Sequence, residues 1–422
     1  MEKIKELKSK SYKLLRWSEK YTKTDMVYLT RGGFWLTIGQ GIAMLSGFLL
    51  SIAFANLFPK ESFGTYKFIL SIAGIMGIFS LTGLGTAIVQ SVARGFRSSL
   101  QRGFWINLKW GLGILLVGLA LSVYYYLNDN KLLSLSFLLV GIFSPLAISS
   151  RLYSAYLAGK KDFRKISIYN TIHNISPAIA LIGTLLLTQN LMIIIIVYFL
   201  VDALIPFCLY LATKPAREKS TIKVDPELIS YSKHLTAMEM LGQIAHYVDK
   251  VLIFHFLGAA PLAIYAFAIA PVEQLQGGKK ILSTLTYPKL SEQSFEKIQK
   301  TAPRKAFLAT IYAFGLISGY ILLVPYFYKF FYPQYTDSIL YSQVYSLTLL
   351  AISGTIFHDT LQAHKKKKEL YIHKTIIPVL QITLFILLLP QFGLMGLVVT
   401  HVVIRSFSNL LAYYFVKFPL KN

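Results

Sequence analysis

Apolar residues fall into twelve runs, each about the 20 residues that a helix needs to cross ~30 Å of hydrocarbon. The runs cover residues 33–57, 66–89, 105–127, 132–157, 166–188, 191–212, 233–257, 262–286, 306–330, 337–361, 372–389 and 394–416. Every second gap is very short: Pro59-Lys60-Glu61-Ser62, Asn128-Asp129-Asn130, Thr188-Gln189-Asn190, Gly258-Ala259-Ala260-Pro261, Tyr332-Pro333-Gln334-Tyr335 and Pro390-Gln391-Phe392-Gly393. No soluble domain fits in any of them. The pattern predicts an all-α membrane protein of twelve transmembrane helices. The longest internal gap, 213–232, carries Lys214-Pro215 and Asp225-Pro226 and separates two sets of six helices. The expected organisation is a segment 1–23, a lobe 24–212, a linker 213–232, a lobe 233–417 and a tail 418–422.

The two sets repeat each other in the order of their features. Asn56-Leu57-Phe58 and Phe63-Gly64-Thr65-Tyr66 join the first two runs. Phe256-Leu257-Gly258 and Leu262-Ala263-Ile264-Tyr265 join the seventh and eighth, and the two tyrosines are 199 residues apart. Ala158-Gly159-Lys160-Lys161 is matched by Ala363-His364-Lys365-Lys366 at an offset of 205. Six helices per repeat keep both halves in one orientation. The two six-helix bundles are therefore expected to be related by a pseudo-two-fold axis along the membrane normal.

Charge orients the chain. Of the 43 Lys and Arg residues, 37 lie in the tails and in the gaps of the other set, clustered in residues 1–32, 90–110, 151–165, 213–233, 279–305 and 364–374. The short gaps and their flanks hold Lys60, Lys67, Lys131 and Lys329. This is the positive-inside distribution, and it puts both termini on the cytoplasmic side of the inner membrane. The composition agrees: 55% of residues are hydrophobic and 15% charged, against about 25% charged in soluble domains. A net charge of +24 would suggest nucleic acid in a soluble protein. Set in short loops between spans, it reads as topology, with anionic lipid headgroups as partners and no nucleic acid. Residues 1–23 read either as a basic amphipathic helix, with Ile4, Leu7, Leu14, Leu15 and Trp17 on the bilayer, or as a basic tail. The single cysteine, Cys208, excludes a disulfide or a thiolate metal site within the chain.

Lys250 and Arg405 are the two cations that topology leaves unexplained, because they lie inside apolar runs. A charge at bilayer depth costs about 2.5–3.5 kcal/mol on insertion scales, so it faces a cavity or a partner. Glu239, Gln243, His246 and Lys250 recur at i, i+4, i+7 and i+11, one stripe down a helix, with Asp249 beside it. The stripe either lines an aqueous cavity between the halves or forms a structural network in which Asp249 or Glu239 neutralises Lys250. Fainter sets are Glu273, Gln276 and Lys280 in span eight, His401, Arg405 and Ser408 in span twelve, and Asn170, His173 and Asn174 in span five. Span one begins at Arg31 and adds Gln40, and Arg151 closes span four. Arg31, Arg151 and Lys280 stand where a long side chain can equally snorkel to the interface.

Enzyme signatures are missing from the sequence: it has no His-Glu-x-x-His, no Cys-x-x-Cys and no Gly-x-x-x-x-Gly-Lys phosphate loop. His246 and His255 are nine residues apart, on opposite helix faces, and cannot share a metal. Neither a cofactor nor catalysis is expected.

Six segments, taken in order, carry a resemblance. They are Thr30-Arg31-Gly32-Gly33-Phe34-Trp35; Leu57-Phe58-Pro59 through Phe63-Gly64-Thr65-Tyr66; Gly83-Leu84-Gly85-Thr86-Ala87; Asp249-Lys250 in span seven; Pro288-Lys289-Leu290-Ser291; and Leu389-Pro390-Gln391-Phe392-Gly393-Leu394-Met395-Gly396. Over residues 24–417 the chain resembles the multidrug/oligosaccharidyl-lipid/polysaccharide exporter superfamily. Within it the likeness is greatest to the flippases for O-antigen and related polysaccharide repeat units. It departs at Gly258-Ala259-Ala260-Pro261-Leu262-Ala263, where such flippases often have a glycine before the tyrosine.

The resemblance implies translocation of a polyprenyl-diphosphate-linked oligosaccharide to the external leaflet during cell-surface polysaccharide synthesis. Residues 24–212 would rock against 230–417. The partners implied are that lipid-linked sugar, membrane lipids and other polysaccharide-assembly proteins. On this reading Lys250, Arg405, Arg31 and Arg151 hold the diphosphate. Gln40, Asn174, Gln243 and Gln276 meet the sugars, with His246 and Lys280 beside them. Glu239, Asp249 or Glu273 exchanges a coupling ion. Two alternatives stay open. A drug or organic-cation antiporter of the same superfamily should favour acidic groups in its cavity. A polymerase or acyltransferase of envelope synthesis should show a substantial external loop.

Overall fold

The computed structural model describes residues 26–214 and 225–420, with backbone alone for 26–36, 277–289 and 291–292. The segment 1–23, half of the linker 213–232 and the last two residues of the tail lie outside the described residues. Fifteen α-helices form the described part. They are α1 (Met26–Leu57), α2 (Lys60–Met76), α3 (Leu84–Ala93), α4 (Ser99–Trp110), α5 (Leu112–Leu127), α6 (Lys131–Ser150), α7 (Leu152–Gly159), α8 (Phe163–Leu187) and α9 (Leu191–Thr213), followed by α10 (Leu228–Phe256), α11 (Ala259–Glu292), α12 (Phe295–Phe331), α13 (Ile339–Ser346), α14 (Thr355–Ala363) and α15 (Lys367–Lys417).

Among the described residues eight helical stretches are long and apolar enough to cross a membrane. They become nine if Pro333–Ile352 and α14, bent by 42°, form one span. Helix α10 is not in that set despite its 29 residues, because charged and histidine side chains punctuate it. Helix α15 runs for 51 residues but is not straight. Gly393 has φ 57°, a conformation that glycine adopts without the Cβ penalty. A Cβ on Gly396 would press on the carbonyl of Leu388, which a continuous helix would hold about 12 Å away. His373 Nε2 also lies 3.0 Å from Ser408 Oγ, although 35 helical residues would separate them by about 50 Å. The chain therefore folds back at Gly393, and 367–392 and 394–417 are antiparallel arms.

The predicted second span is broken. Helix α2 ends at Met76, a 3-10 turn covers Gly77–Phe79, and α3 starts at Leu84. The freed backbone groups find specific partners. Leu81 N–H donates to Asn107 Oδ1 at 2.9 Å, and Gly83 N–H donates to Thr236 Oγ1 at 3.0 Å. The Gly74 carbonyl accepts from Gln243 at 3.4 Å. Irregular backbone at membrane depth is tolerated where protein or a water-filled cavity satisfies it, so the break marks polar ground.

Helices α1–α9 pack mainly on one another, with α1 against α8 and α6 against α5 and α9; α10–α15 pack likewise, with α10 against α15. The halves meet where α2 and α3 cross α10 and α11. At one end, Lys60 pairs with Asp337 at 3.5 Å, Asn56 donates to the Phe331 carbonyl at 3.0 Å, and Phe63 lies 4.8 Å from Phe267 between ring centroids. Gly64 sits on the backbone of Ala259, leaving no room for a Cβ. At the other end, Arg94 bonds Asp225 at 2.8 Å and Glu227 at 3.3 Å. Between these two seams lies a cavity.

Candidate functional site

The cavity measures about 700 Å³ and is bounded by α2, the broken segment, α4, α6, α7, α9 and one face of α10. The first half supplies most of its wall, including Lys67, Asn107, Ser144, Arg151, Tyr198 and Asp202. The second half supplies Gln243, Tyr247 and Lys250 from α10. Each charged group is there for a local reason. Lys67 lies on the inner face of α2, next to the buried Tyr66 and Phe68. Arg151 stands at the junction of α6 and α7 and reaches Asp202 on α9, with Nη2 2.5 Å from Oδ1. Asp202 interrupts α9, a strongly apolar helix, and an unpaired carboxylate there would be costly. Three cations and one carboxylate thus line one cavity, and a second carboxylate, Asp249, stands behind Lys250.

Behind the wall, α10 meets α11 and α15 in a second charged centre. Asp249 is 1% exposed. It accepts from Lys250 Nζ at 3.1 and 3.3 Å and from the Tyr265 hydroxyl at 2.7 Å, with His401 Nε2 3.4 Å away. Farther along α11 and α15, Arg405 Nη2 donates to Glu273 Oε1 at 2.6 Å and to the Tyr345 hydroxyl at 3.0 Å. Tyr345 also donates to Glu273. The Nη1 of Arg405 has no hydrogen-bond partner among the described residues. Both cations that topology left unexplained are therefore paired with carboxylates, and Lys250 alone of the two also reaches the cavity.

Of the residues expected to hold a ligand, the structure brings Lys250, Arg151 and Gln243 to the cavity. It does not bring Arg405, Gln276, Asn174, Gln40 or His246 there. Arg405 is held by Glu273, and Gln276 donates to Thr348 at 2.9 Å. Asn174 is exposed and donates to the carbonyl of Asn170 at 2.6 Å. Gln40, Glu239 and His246 are exposed away from the cavity wall. The side chains of Arg31 and Lys280 lie outside the described residues. Of the expected ion-exchange groups, Asp249 and Glu273 sit in charged networks. The reading of the charged stripe as either cavity lining or structural network resolves into both: Gln243 and Lys250 line the cavity while Asp249 neutralises Lys250.

Lys67, Asp202 and Tyr198 were missed. Counting cations by gap placed Lys67 outside the membrane, although the second apolar run begins at residue 66. A wall position for Lys67 corrects that placement. Asp202 was readable as the single acid in the sixth run. Tyr198, one helical turn before it, carried no separate signal.

A family model described as polysaccharide biosynthesis protein matches residues 29–294. No curated protein matches the sequence. Several solved structures share the fold. The lipid II flippase MurJ in an inward closed conformation is 17% identical with a TM-score of 0.64, covering 90% of this chain and 87% of its own. An outward-facing multidrug resistance MATE family transporter of the MOP superfamily is 13% identical, with a TM-score of 0.62 over 92% of this chain and 94% of its own. A MOP superfamily transporter from Pyrococcus furiosus, described by a reverse polarity of its binding pocket, is 13% identical with a TM-score of 0.57, covering 92% and 96%.

Proposed function

The chain belongs to the polysaccharide biosynthesis protein family, and from that premise we propose that it is a flippase for a polyprenyl-diphosphate-linked oligosaccharide. It transports and does not catalyse. Twelve spans in two six-helix bundles, with both termini in the cytoplasm of the cell that houses them in its inner membrane, carry the lipid-linked sugar outward. Residues 24–212 rock against 233–417 so that the cavity opens to one side at a time.

The observation that carries this reading is the convergence of Lys67, Arg151 and Lys250 on one cavity whose wall comes from both halves. A diphosphate diester brings two negative charges, and ammonium and guanidinium groups in a low-dielectric wall bind it more strongly than they would in water. Arg151 presents a planar fork, and the two lysines present mobile point charges. Asn107, Ser144, Gln243 and the rings of Tyr198 and Tyr247 offer the hydrogen bonds and flat faces that a sugar takes up. The prenyl tail stays in lipid. Gln40, Asn174, Gln276, His246 and Arg405 would contact substrate only in another state of the cycle, and Arg31 and Lys280 are further candidates for it. Glu239, Asp249 and Glu273 are the candidates for ion coupling.

Depletion of the protein followed by lipid extraction tests the proposal. The expected result is accumulation of a cytoplasm-facing lipid-linked oligosaccharide, whose sugar the extract then identifies. Unchanged lipid-linked sugar, with export of organic cations by the purified protein, would replace the flippase with an antiporter.

A further inference from the structure

We propose that Lys250 ties occupancy of the cavity to uptake of one proton by the buried cluster of Asp249, Tyr265 and His401. The proposal rests on the flippase reading only for the nature of the ligand, an anionic diphosphate.

Lys250 belongs to two environments at once. Its side chain lines the cavity, while its Nζ bonds both oxygens of Asp249 and the carbonyl of His246, the last at 3.3 Å. Asp249 points the other way, into protein. Tyr265 bridges Asp249 and His401, its oxygen 2.7 Å from the carboxylate and 2.8 Å from His401 Nε2. The other charged groups nearby are accounted for. Arg405 and Glu273 pair with each other and with Tyr345, whose ring centroid lies 5.4 Å from that of His401. Lys67, on the adjoining α2, lines the same cavity beside Lys250, and His246 is exposed on α10 itself. Among the described residues, Lys250 is the lysine or arginine paired with Asp249.

An anion in the cavity competes with Asp249 for the Lys250 ammonium, whose four-carbon stem turns readily. Once the ammonium turns, a carboxylate is left at full burial without its cation, a state that is strongly disfavoured. Uptake of one proton from cavity water restores neutrality. The new O–H or N–H bond forms on Asp249 or on His401, and the two titrate as one unit through their direct contact and the Tyr265 hydroxyl. When the ligand leaves, Lys250 returns to Asp249 and the proton goes back to water. Ligand and proton are thus linked one to one.

A short-chain prenyl glucosyl diphosphate is a suitable probe, because this diester has no group that titrates near neutrality. Binding to the purified full-length protein in weakly buffered detergent, followed with a pH indicator, is expected to consume one proton per bound probe. By linkage, affinity should weaken by up to about tenfold for each unit of rising pH. Asp249→Asn, in which Lys250 is already released, should bind the probe at least as tightly and take up no proton. If that variant does not fold, Tyr265→Phe should shift the pH at which uptake occurs, because Asp249 loses the 2.7 Å hydrogen bond of the Tyr265 hydroxyl and keeps only its 3.4 Å contact with His401. Wild-type binding without proton uptake, or uptake that persists in Asp249→Asn, overturns the link and leaves the flippase reading standing. Failure of the wild type to bind the probe overturns the reading of the cavity, and the link with it.

Discussion

Arg151 with Asp202 in the first half, and Lys250 with Asp249 in the second, are both cation–carboxylate pairs at membrane depth, but their surroundings differ. The Arg151 side chain is 43% exposed and opens onto the cavity. Asp249 is 1% exposed and is bonded on one oxygen by Tyr265, with His401 beside it. Burial decides what each pair can do. Arg151, half-exposed beside a carboxylate that is 15% exposed, can offer its remaining guanidinium N–H groups to a ligand while it keeps its bond to Asp202. A fully buried carboxylate cannot lose its cation without taking something in exchange. The first half is thus suited to binding and the second to counting charge, with Lys250 as the side chain that takes part in both.

The sharpest way to break this comparison is to remove each carboxylate in turn. Asp249→Ala frees Lys250 to the cavity but takes the acceptor from the buried Tyr265–His401 pair, and is expected to lose about 2–3 kcal/mol of stability. Asp202→Ala should lose only about 1 kcal/mol, because Arg151 turns to the cavity. Thermal unfolding of the purified proteins measures both, and equal losses would erase the distinction. The next effect belongs to Lys67, which forms no ion pair with a carboxylate among the described residues. Lys67→Ala should leave the unfolding temperature unchanged. It should weaken binding of a lipid diphosphate by roughly 10–100-fold, the worth of one charge-assisted hydrogen bond at 1.4 kcal/mol per decade. The smallest effect is expected at Arg405→Lys, which keeps the charge but loses the fork that meets Glu273 and Tyr345 together. About 1 kcal/mol of stability should go with it, and no loss at all would make that network incidental.

Much of this was legible in the sequence because lipid imposes simple rules. Apolar runs gave the helical class, and Lys250 and Arg405 stood out as cations no loop could explain. What could not be read were the pairings. Arg405 finds Glu273 from 132 residues away, and His401 meets Asp249 across 152. No local pattern encodes either meeting. Helical spacing put Glu239, Gln243, His246 and Lys250 on one stripe, but only the packing of α2 and α3 decided which of them face a cavity. Lys67 was misplaced because a span boundary shifted by one or two residues moves a cation from loop to wall. The break between α2 and α3 was equally hidden, since apolar residues continue through Gly77–Phe79 and the partners of its freed backbone groups, Asn107 and Thr236, lie in other helices.

The central claim is that the cavity carries a lipid diphosphate across the membrane by means of Lys67, Arg151 and Lys250. Reconstitution of the purified protein in liposomes with a fluorescent prenyl diphosphate sugar, followed by chemical quenching of the outer leaflet, measures that movement directly. Wild-type protein is predicted to expose the whole labelled pool to the quencher, and Lys67→Ala to slow that exposure by at least about tenfold. Equal rates for the two proteins, or a rate no faster than that of protein-free liposomes, would contradict it.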